Sequence, residues 1–410
     1  MKAVNNPATA PVAFWTNGGP GCSGLLGFLT EQGPFKPQAD GSLKLNSYAW
    51  NQNANMVFIE APCGVGFSYS DDKDDYKTGD AQTASDNYDL IQAFLVRFPE
   101  FAKNDLYISS ESYGGHYMPT LAQKIVQMNA AGNNPTLNFK GFAVGNPMTT
   151  VYSATPSGLV TLWGHQMIAK PTWDTYEKNC ADVKNFNFTI CETLMMEMFV
   201  ELGPNINHYA LDYPVCVDDE RVARGRGQRN ALLRHLLTND LVSDKFRSLI
   251  KLEPEDSYQP CADDYAITYM NRADVKAAIH VNSDIEWEEC SRTIRYDQGD
   301  SKNDMTEIYN YLLEGDYGLH ILVYSGDDDD VCPTEGTQSW IWDLKNQVVG
   351  RKWQHYEVNS QTGGYLTKFT KNMAFATVHG AGHEVPTYKP EVALSLWNQY
   401  LNGELTNSEW

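Results

Sequence analysis

Over the first 150 residues, short continuous apolar runs alternate with stretches whose apolar positions fall at helical spacing. The runs at 12–16 (Val-Ala-Phe-Trp-Thr) and 56–60 (Met-Val-Phe-Ile-Glu) read as buried strands. From 80 to 98, Ala84, Tyr88, Ile91 and Leu95 mark one helical face, and Pro99 ends it. Leu106-Tyr107-Ile108 is a third strand pattern, followed by a helical one from 117 to 128 with Leu121, Ile125 and Met128; a fourth strand covers 141–144. This alternation predicts an α/β fold with a mostly parallel central sheet and helices on both faces.

Beyond Asn146-Pro147 the pattern breaks. Residues 150–262 read as mainly helical and irregular, an inserted cap. The strand-and-helix rhythm returns with 274–281 and 308–313, then strands at 320–324 and 374–378, and a closing helix over 391–401 that Gly403 stops. The expected organisation is therefore a core at 1–149, a cap subdomain at 150–262 and a second part of the core at 263–410.

Composition narrows the partners. Lys+Arg 31 against Asp+Glu 52 gives 31 − 52 = −21, so most of the surface repels a polyanion and nucleic-acid binding is not expected. No apolar run approaches the ~18–20 residues that span a bilayer, and the N-terminus lacks the apolar core of a signal peptide. Eight cysteines spread from Cys22 to Cys332 show no metal-ligand spacing, so no metal and no cofactor is expected. Their even number, and the glycosylation sequon at Asn187, point to an oxidising compartment. The basic, glycine-rich segment 221–229 reads as a solvated loop, with cleavage by trypsin-like enzymes as the sharper alternative.

The chemistry centres on Ser109-Ser110-Glu111-Ser112-Tyr113-Gly114-Gly115-His116, placed where a strand pattern gives way to a helical one. A nucleophile elbow needs small residues two before and two after its serine, and Ser110 and Gly114 fill those places around Ser112, although glycine is more usual at the first. Serine needs a base, and the base needs an acid to orient it. In the α/β-hydrolase plan these follow in the order Ser, Asp, His, each on a loop after a strand. Ser112 follows 106–109, a run of aspartates at 327–330 follows 320–325, and His383 follows 374–378. The loop Asn17-Gly18-Gly19-Pro20-Gly21-Cys22 after the first strand exposes amide groups, and an oxyanion needs two such donors; Gly19 and Tyr113 are assigned that role.

These motifs resemble those of the serine carboxypeptidases, the lysosomal and vacuolar acid exopeptidases of the cathepsin A and carboxypeptidase Y type. The resemblance rests on Asn17-Gly18-Gly19-Pro20-Gly21-Cys22-Ser23, Gly64-Val65-Gly66-Phe67-Ser68-Tyr69, Glu111-Ser112-Tyr113 and Gly380-Ala381-Gly382-His383-Glu384-Val385-Pro386, and it spans nearly the whole chain. It implies an α/β-hydrolase with a helical cap, and peptide substrates with a free C-terminal carboxylate cut through an acyl-enzyme. The family's catalytic aspartate, second in a Gly-Asp-x-Asp pattern, falls on Asp329, with Asp327, Asp328 and Asp330 as competitors. Asn17, Gly18, Glu31 and Glu111 would hold the substrate carboxylate. A glutamate can do so only with a proton between the two, which burial and adjacent like charge favour, so acid-favoured activity is expected. The resemblance also implies the pairs Cys22–Cys290, Cys180–Cys191 and Cys216–Cys261, a free Cys332 lining the pocket, and a lysosomal, vacuolar or secreted location. It implies a longer segment, with strands and a secretory signal, before the first strand, and allows a homodimer.

Two other readings exist on this scaffold. Acyltransferases of the same build tend to carry aspartate where Glu111 sits and to alter Asn17; an inactive homologue acting as a binding or protective protein would break the triad. Both discriminators favour the peptidase. Tyr113 and Trp15 suggest apolar pockets, while acidic residues of the cap could receive Arg or Lys.

Overall fold

The computed structural model describes residues 1–133, 135–180, 188–203, 205–217 and 258–406. At its centre is an eight-stranded sheet. From one edge to the other its strands are Val348–Val358, Gln361–Phe369, Met373–Val378, His320–Gly326, Phe139–Gly145, Leu106–Glu111, Val12–Thr16 and Asn55–Phe58. The last six run parallel, and the first two join antiparallel at one edge.

Burial explains the patterns that were legible. Val12–Thr16, Leu106–Glu111 and Met373–Val378 are buried at every position, as strands covered on both faces should be. One face carries the helices Asp80–Arg97 and Gly114–Ala130 over a core that includes Ile91, Leu121, Ile125 and Phe142. The other face is packed by Pro390–Leu401, where Trp397 stacks on Trp50 with ring centroids 4.3 Å apart.

Some boundaries move. The second strand stops at Phe58 rather than residue 60, because Ile59 and Glu60 already turn into the loop that docks on the N-terminus of helix Gly24–Thr30. The helix expected from 117 begins at Gly114, directly after the turn. Trp15 is fully buried, packed edge-to-face on Trp50. The antiparallel pair Val348–Val358 and Gln361–Phe369 has no counterpart in the sequence reading.

Between Phe139–Gly145 and His320–Gly326 lie the helices Thr155–Gly164, Lys170–Cys180 and Phe188–Leu202, with an apolar cluster of their own that includes Leu159, Trp173, Tyr176 and Met198. Disulfides join Cys22 to Cys290, Cys180 to Cys191 and Cys216 to Cys261, while Cys63 and Cys332 are free thiols. Asn187 and the 221–229 segment lie outside the described residues. Among those described, no helix is long and apolar enough to cross a membrane.

Candidate active site

Parallel strands end on the same side of a sheet, so the loops after Val12–Thr16, Leu106–Glu111, Phe139–Gly145, His320–Gly326 and Met373–Val378 gather at one edge. The turn after Leu106–Glu111 is tight. Ser112 sits at φ +60°, a left-handed conformation that a non-glycine residue adopts only where its surroundings impose it. Its N–H donates to the Gly145 carbonyl at 3.0 Å, and its own carbonyl accepts from Met148 N–H and Gly115 N–H, each at 2.9 Å. A Cβ added to Gly114 would lie 2.1 Å from Ser110 Oγ. That contact explains the elbow's demand for small residues, and shows that serine at 110 is accommodated because residue 114 is glycine.

Gly18 has the same kind of role. A side chain there would meet Tyr113 N at 2.5 Å, Glu111 O at 2.6 Å and Ser112 Cβ at 2.8 Å. The glycine-rich loop therefore lies directly against the elbow. No hydrogen bond among the described residues takes the Gly19 or Tyr113 amide N–H.

Of the four consecutive aspartates, Asp329 meets His383. Its Oδ2 lies 2.7 Å from His383 Nδ1, and the same carboxylate accepts from Asn146 Nδ2 at 2.8 Å, Val331 N–H at 2.8 Å and Cys332 N–H at 3.2 Å. Both side chains are buried, Asp329 wholly. With three other donors aimed at the carboxylate, Nδ1–H of His383 is the fourth, which assigns the lone pair to Nε2. The Ser112 hydroxyl lies near the Cys332 thiol, itself 3 % exposed and pushed well above its ordinary pKa, first by burial. Cys332 thus neighbours Ser112 through its thiol and the Asp329 carboxylate through its N–H.

Asn17, Glu31 and Glu111 form a second buried cluster, with Glu31 and Glu111 0 % and 4 % exposed. Asn17 Oδ1 accepts from Trp15 Nε1 at 2.8 Å and from Gly27 N–H at 3.1 Å. Its orientation is thereby fixed, and Nδ2 donates to Glu111 Oε1 at 2.8 Å and to Glu31 Oε1 at 3.0 Å. The phenol of Tyr324 is pushed up by its burial and then by Glu111 and Glu31, so it remains a protonated donor beside them.

Asp80 anchors the ring that follows the nucleophile. Its Oδ1 accepts from Tyr296 OH at 2.7 Å and Tyr113 OH at 3.1 Å, and its Oδ2 lies 2.9 Å from His116 Nδ1. The Tyr113 ring stacks on His116 with centroids 4.6 Å apart. Burial first, then the charge of Asp80, raises the Tyr113 phenol, which keeps its proton as a hydrogen-bond donor. The sequence reading missed Asp80, Asn146 and Tyr324. Asn146 directly follows a strand end and sits at φ +37°, the one local signal among the three.

An elbow serine on a parallel sheet, with an aspartate–histidine pair on later strand ends, defines an α/β-hydrolase. The sequence model of the serine carboxypeptidase family matches residues 1–403, so the chain belongs to that family and is a serine-type carboxypeptidase. It is 36 % identical to serine carboxypeptidase-like 22 of Arabidopsis thaliana over 99 % of this chain and 86 % of that one. To serine carboxypeptidase 24 of the same plant it is 37 % identical, over 97 % and 83 %. Among solved structures it is similar to Kex1(delta)p, a prohormone-processing carboxypeptidase from Saccharomyces cerevisiae. There the TM-score is 0.74 at 22 % identity, covering 98 % of this chain and 85 % of that one, which supports the fold.

Proposed function

We propose that this carboxypeptidase removes the C-terminal residue of peptides with Ser112 as nucleophile, His383 as base and Asp329 as the group that orients it. Ser112 Oγ attacks the last peptide carbonyl while His383 Nε2 takes its proton; the imidazolium then hands that proton to the departing amine. The amides of Gly19 and Tyr113 stabilise the oxyanion, where one donor contributes ~100- to 1,000-fold in turnover. Water, activated by the same histidine, releases the acyl group. The inserted segment 150–262 serves as a cap over this edge.

The observation that carries the exopeptidase reading is the Asn17–Glu31–Glu111 cluster, because Glu111 immediately precedes the nucleophile. A buried pair of carboxyl groups sharing one amide favours retaining a proton, since both burial and like charge oppose double ionisation. With that proton and the Gly18 N–H, the cluster can bind a substrate carboxylate that lies one residue from the scissile bond, Asn17 turning one Nδ2 hydrogen from a glutamate to the substrate. The same Asn17 and Glu111 favour peptide hydrolysis over acyl transfer. Activity is then strongest in mildly acidic medium, bounded below by the need for a neutral His383. Three disulfides and this pH preference support a lysosomal, vacuolar or secreted setting.

Glu111→Gln tests the shared proton. An amide donates to a carboxylate without borrowing a proton, so the optimum for a free-acid dipeptide should rise by about one pH unit, the size of an ordinary carboxyl perturbation. A variant optimum that coincides with the wild type would exclude Glu111 as the proton's holder.

A further inference from the structure

The segment 207–213 of the insertion packs against the two loops that carry Asp329 and His383, which also bond each other through Asp328 N–H and the Ala381 carbonyl at 2.9 Å. Its main chain is bonded to both. His383 N–H donates to the Tyr209 carbonyl at 2.6 Å, Leu211 N–H to the Asp328 carbonyl at 3.0 Å, and Asp330 N–H to the His208 carbonyl at 3.2 Å. Tyr213 OH adds a bond to the Gly380 carbonyl at 3.0 Å.

Side chains follow the same pattern. Each of the four consecutive aspartates faces a different histidine: Asp327 meets His379 at 2.9 Å, Asp328 meets His165 at 3.4 Å, Asp329 meets His383 at 2.7 Å and Asp330 meets His208 at 2.9 Å. His379 and His383 belong to the loop after Met373–Val378, whereas His165 and His208 come from the insertion. The catalytic pair is thus flanked on both sides by pairs that cross from core to insertion. Of these the His208–Asp330 pair is the more enclosed, with side chains 6 % and 3 % exposed.

We propose that His208 is a positioning residue for the reaction: through Asp330 it clamps the insertion onto the loops that hold Asp329 and His383, and the clamp loosens as the medium approaches neutrality. The proposal rests on the peptidase reading of Ser112, Asp329 and His383.

The charges around the clamp set the direction. Burial pushes the Asp330 carboxyl up to about 6, opposed by the hydrogen bond and charge of His208, reinforced by Asp329, and opposed again by His165. Asp328 is also pushed up to about 6 by burial, opposed by the Asp212 N–H and by His165, with Asp212 and Asp327 adding to the rise. Tyr213, pushed up to about 12 by burial and then by Asp328 and Asp212, stays a neutral donor. Both carboxyl groups stand above their ordinary 3.8. Their contribution to stability is therefore complete below about pH 4 and lost as pH rises through about 6. Ionising Asp330 places a second buried negative charge beside Asp329, opposed by His208 and His165.

The test is kcat and KM for an N-blocked dipeptide free acid from pH 4.5 to 7.5, using the whole chain. His208→Phe leaves a buried carboxylate without its imidazole, so kcat at pH 7 should fall about tenfold or more relative to wild type, with KM within about twofold. At pH 4.5 the loss should shrink, because Asp330 then takes up its proton. Asp330→Asn, neutral at every pH, should hold its activity further above pH 6 than the wild type, and in the His208→Phe background should restore most of the kcat lost at pH 7. A His208→Phe loss that is equal at every pH and not relieved by Asp330→Asn would reduce the pair to a structural contact and overturn the proposal. If His208→Phe does not fold, Asp330→Asn alone decides, and a wild-type pH profile for it is the contradicting result. Ser112→Ala, measured alongside, separates the levels: surviving activity removes the peptidase reading itself, whereas complete loss beside an unaltered His208→Phe profile removes only the clamp.

Discussion

Ser112→Ala should lower turnover of an N-blocked dipeptide by roughly a million-fold, the loss seen when a triad nucleophile is removed and only oxyanion stabilisation and binding remain. The size follows from what the hydroxyl does and does not do here. Its neighbour is the Cys332 thiol, a weak partner, while the strained turn at φ +60° is held by main-chain bonds to Gly145, Met148 and Gly115. Alanine keeps those bonds, so the melting temperature should stay within a few degrees of wild type, the scale of a change of about 1 kcal/mol or less. A well-folded variant that retains a tenth of wild-type turnover would contradict the assignment of Ser112.

Asp329→Asn should reduce kcat by about 10,000-fold, the effect of leaving a triad histidine in the wrong tautomer. The carboxylate accepts from His383, Asn146, Val331 and Cys332. An asparagine offers one acceptor oxygen and a donor NH2 to that set, so at least one donor must face another. If the NH2 turns toward His383, Nδ1 becomes the acceptor, Nε2 carries the hydrogen and the base is lost. Stability should also fall, since buried donors are left unsatisfied at about 1–3 kcal/mol each. Activity and thermal melting of Asp327→Asn, Asp328→Asn and Asp329→Asn, compared at one acidic pH, check the choice within the run. A larger kcat loss at 327 or 328 than at 329 would reassign the acid.

What could be read in the chain was whatever local geometry forces on local sequence. Leu106–Glu111 and Met373–Val378 are buried at every position, and the apolar stretches Leu106-Tyr107-Ile108 and Met373-Ala374-Phe375-Ala376 mark them in the sequence. The elbow is visible because a turn at positive φ tolerates only small neighbours, and Ser110 against Gly114 is that constraint in atoms. The pair Val348–Val358 and Gln361–Phe369 escaped notice for the converse reason. The outer strand is an edge in which no residue of described burial is fully buried, so its sequence keeps the polar character that edges require and no apolar run marks it.

Site residues divide along the same line. Asn17, Glu111 and His383 lie inside recognisable motifs. Asp80 reaches Tyr113 across 33 positions, and Asn146 reaches Asp329 across 183. Such meetings are products of the sheet order, in which Phe139–Gly145 lies between the elbow strand and the aspartate strand. His208 and His165 were invisible for the same reason: neither carries a local mark of the carboxylate it meets more than 100 positions away.

The central claim, a Ser112-dependent exopeptidase that recognises a protonation-linked C-terminal carboxylate, is tested most directly with one matched pair of substrates. An N-blocked dipeptide and its C-terminal amide would be followed by amino-acid release across roughly pH 4 to 8, the window that spans ordinary carboxyl and imidazole titrations. The account predicts release from the free acid, strongest below neutrality and absent in Ser112→Ala, with the amide cleaved far more slowly in acid. Equal cleavage of acid and amide at every pH, or activity that climbs steadily above neutrality, would contradict it.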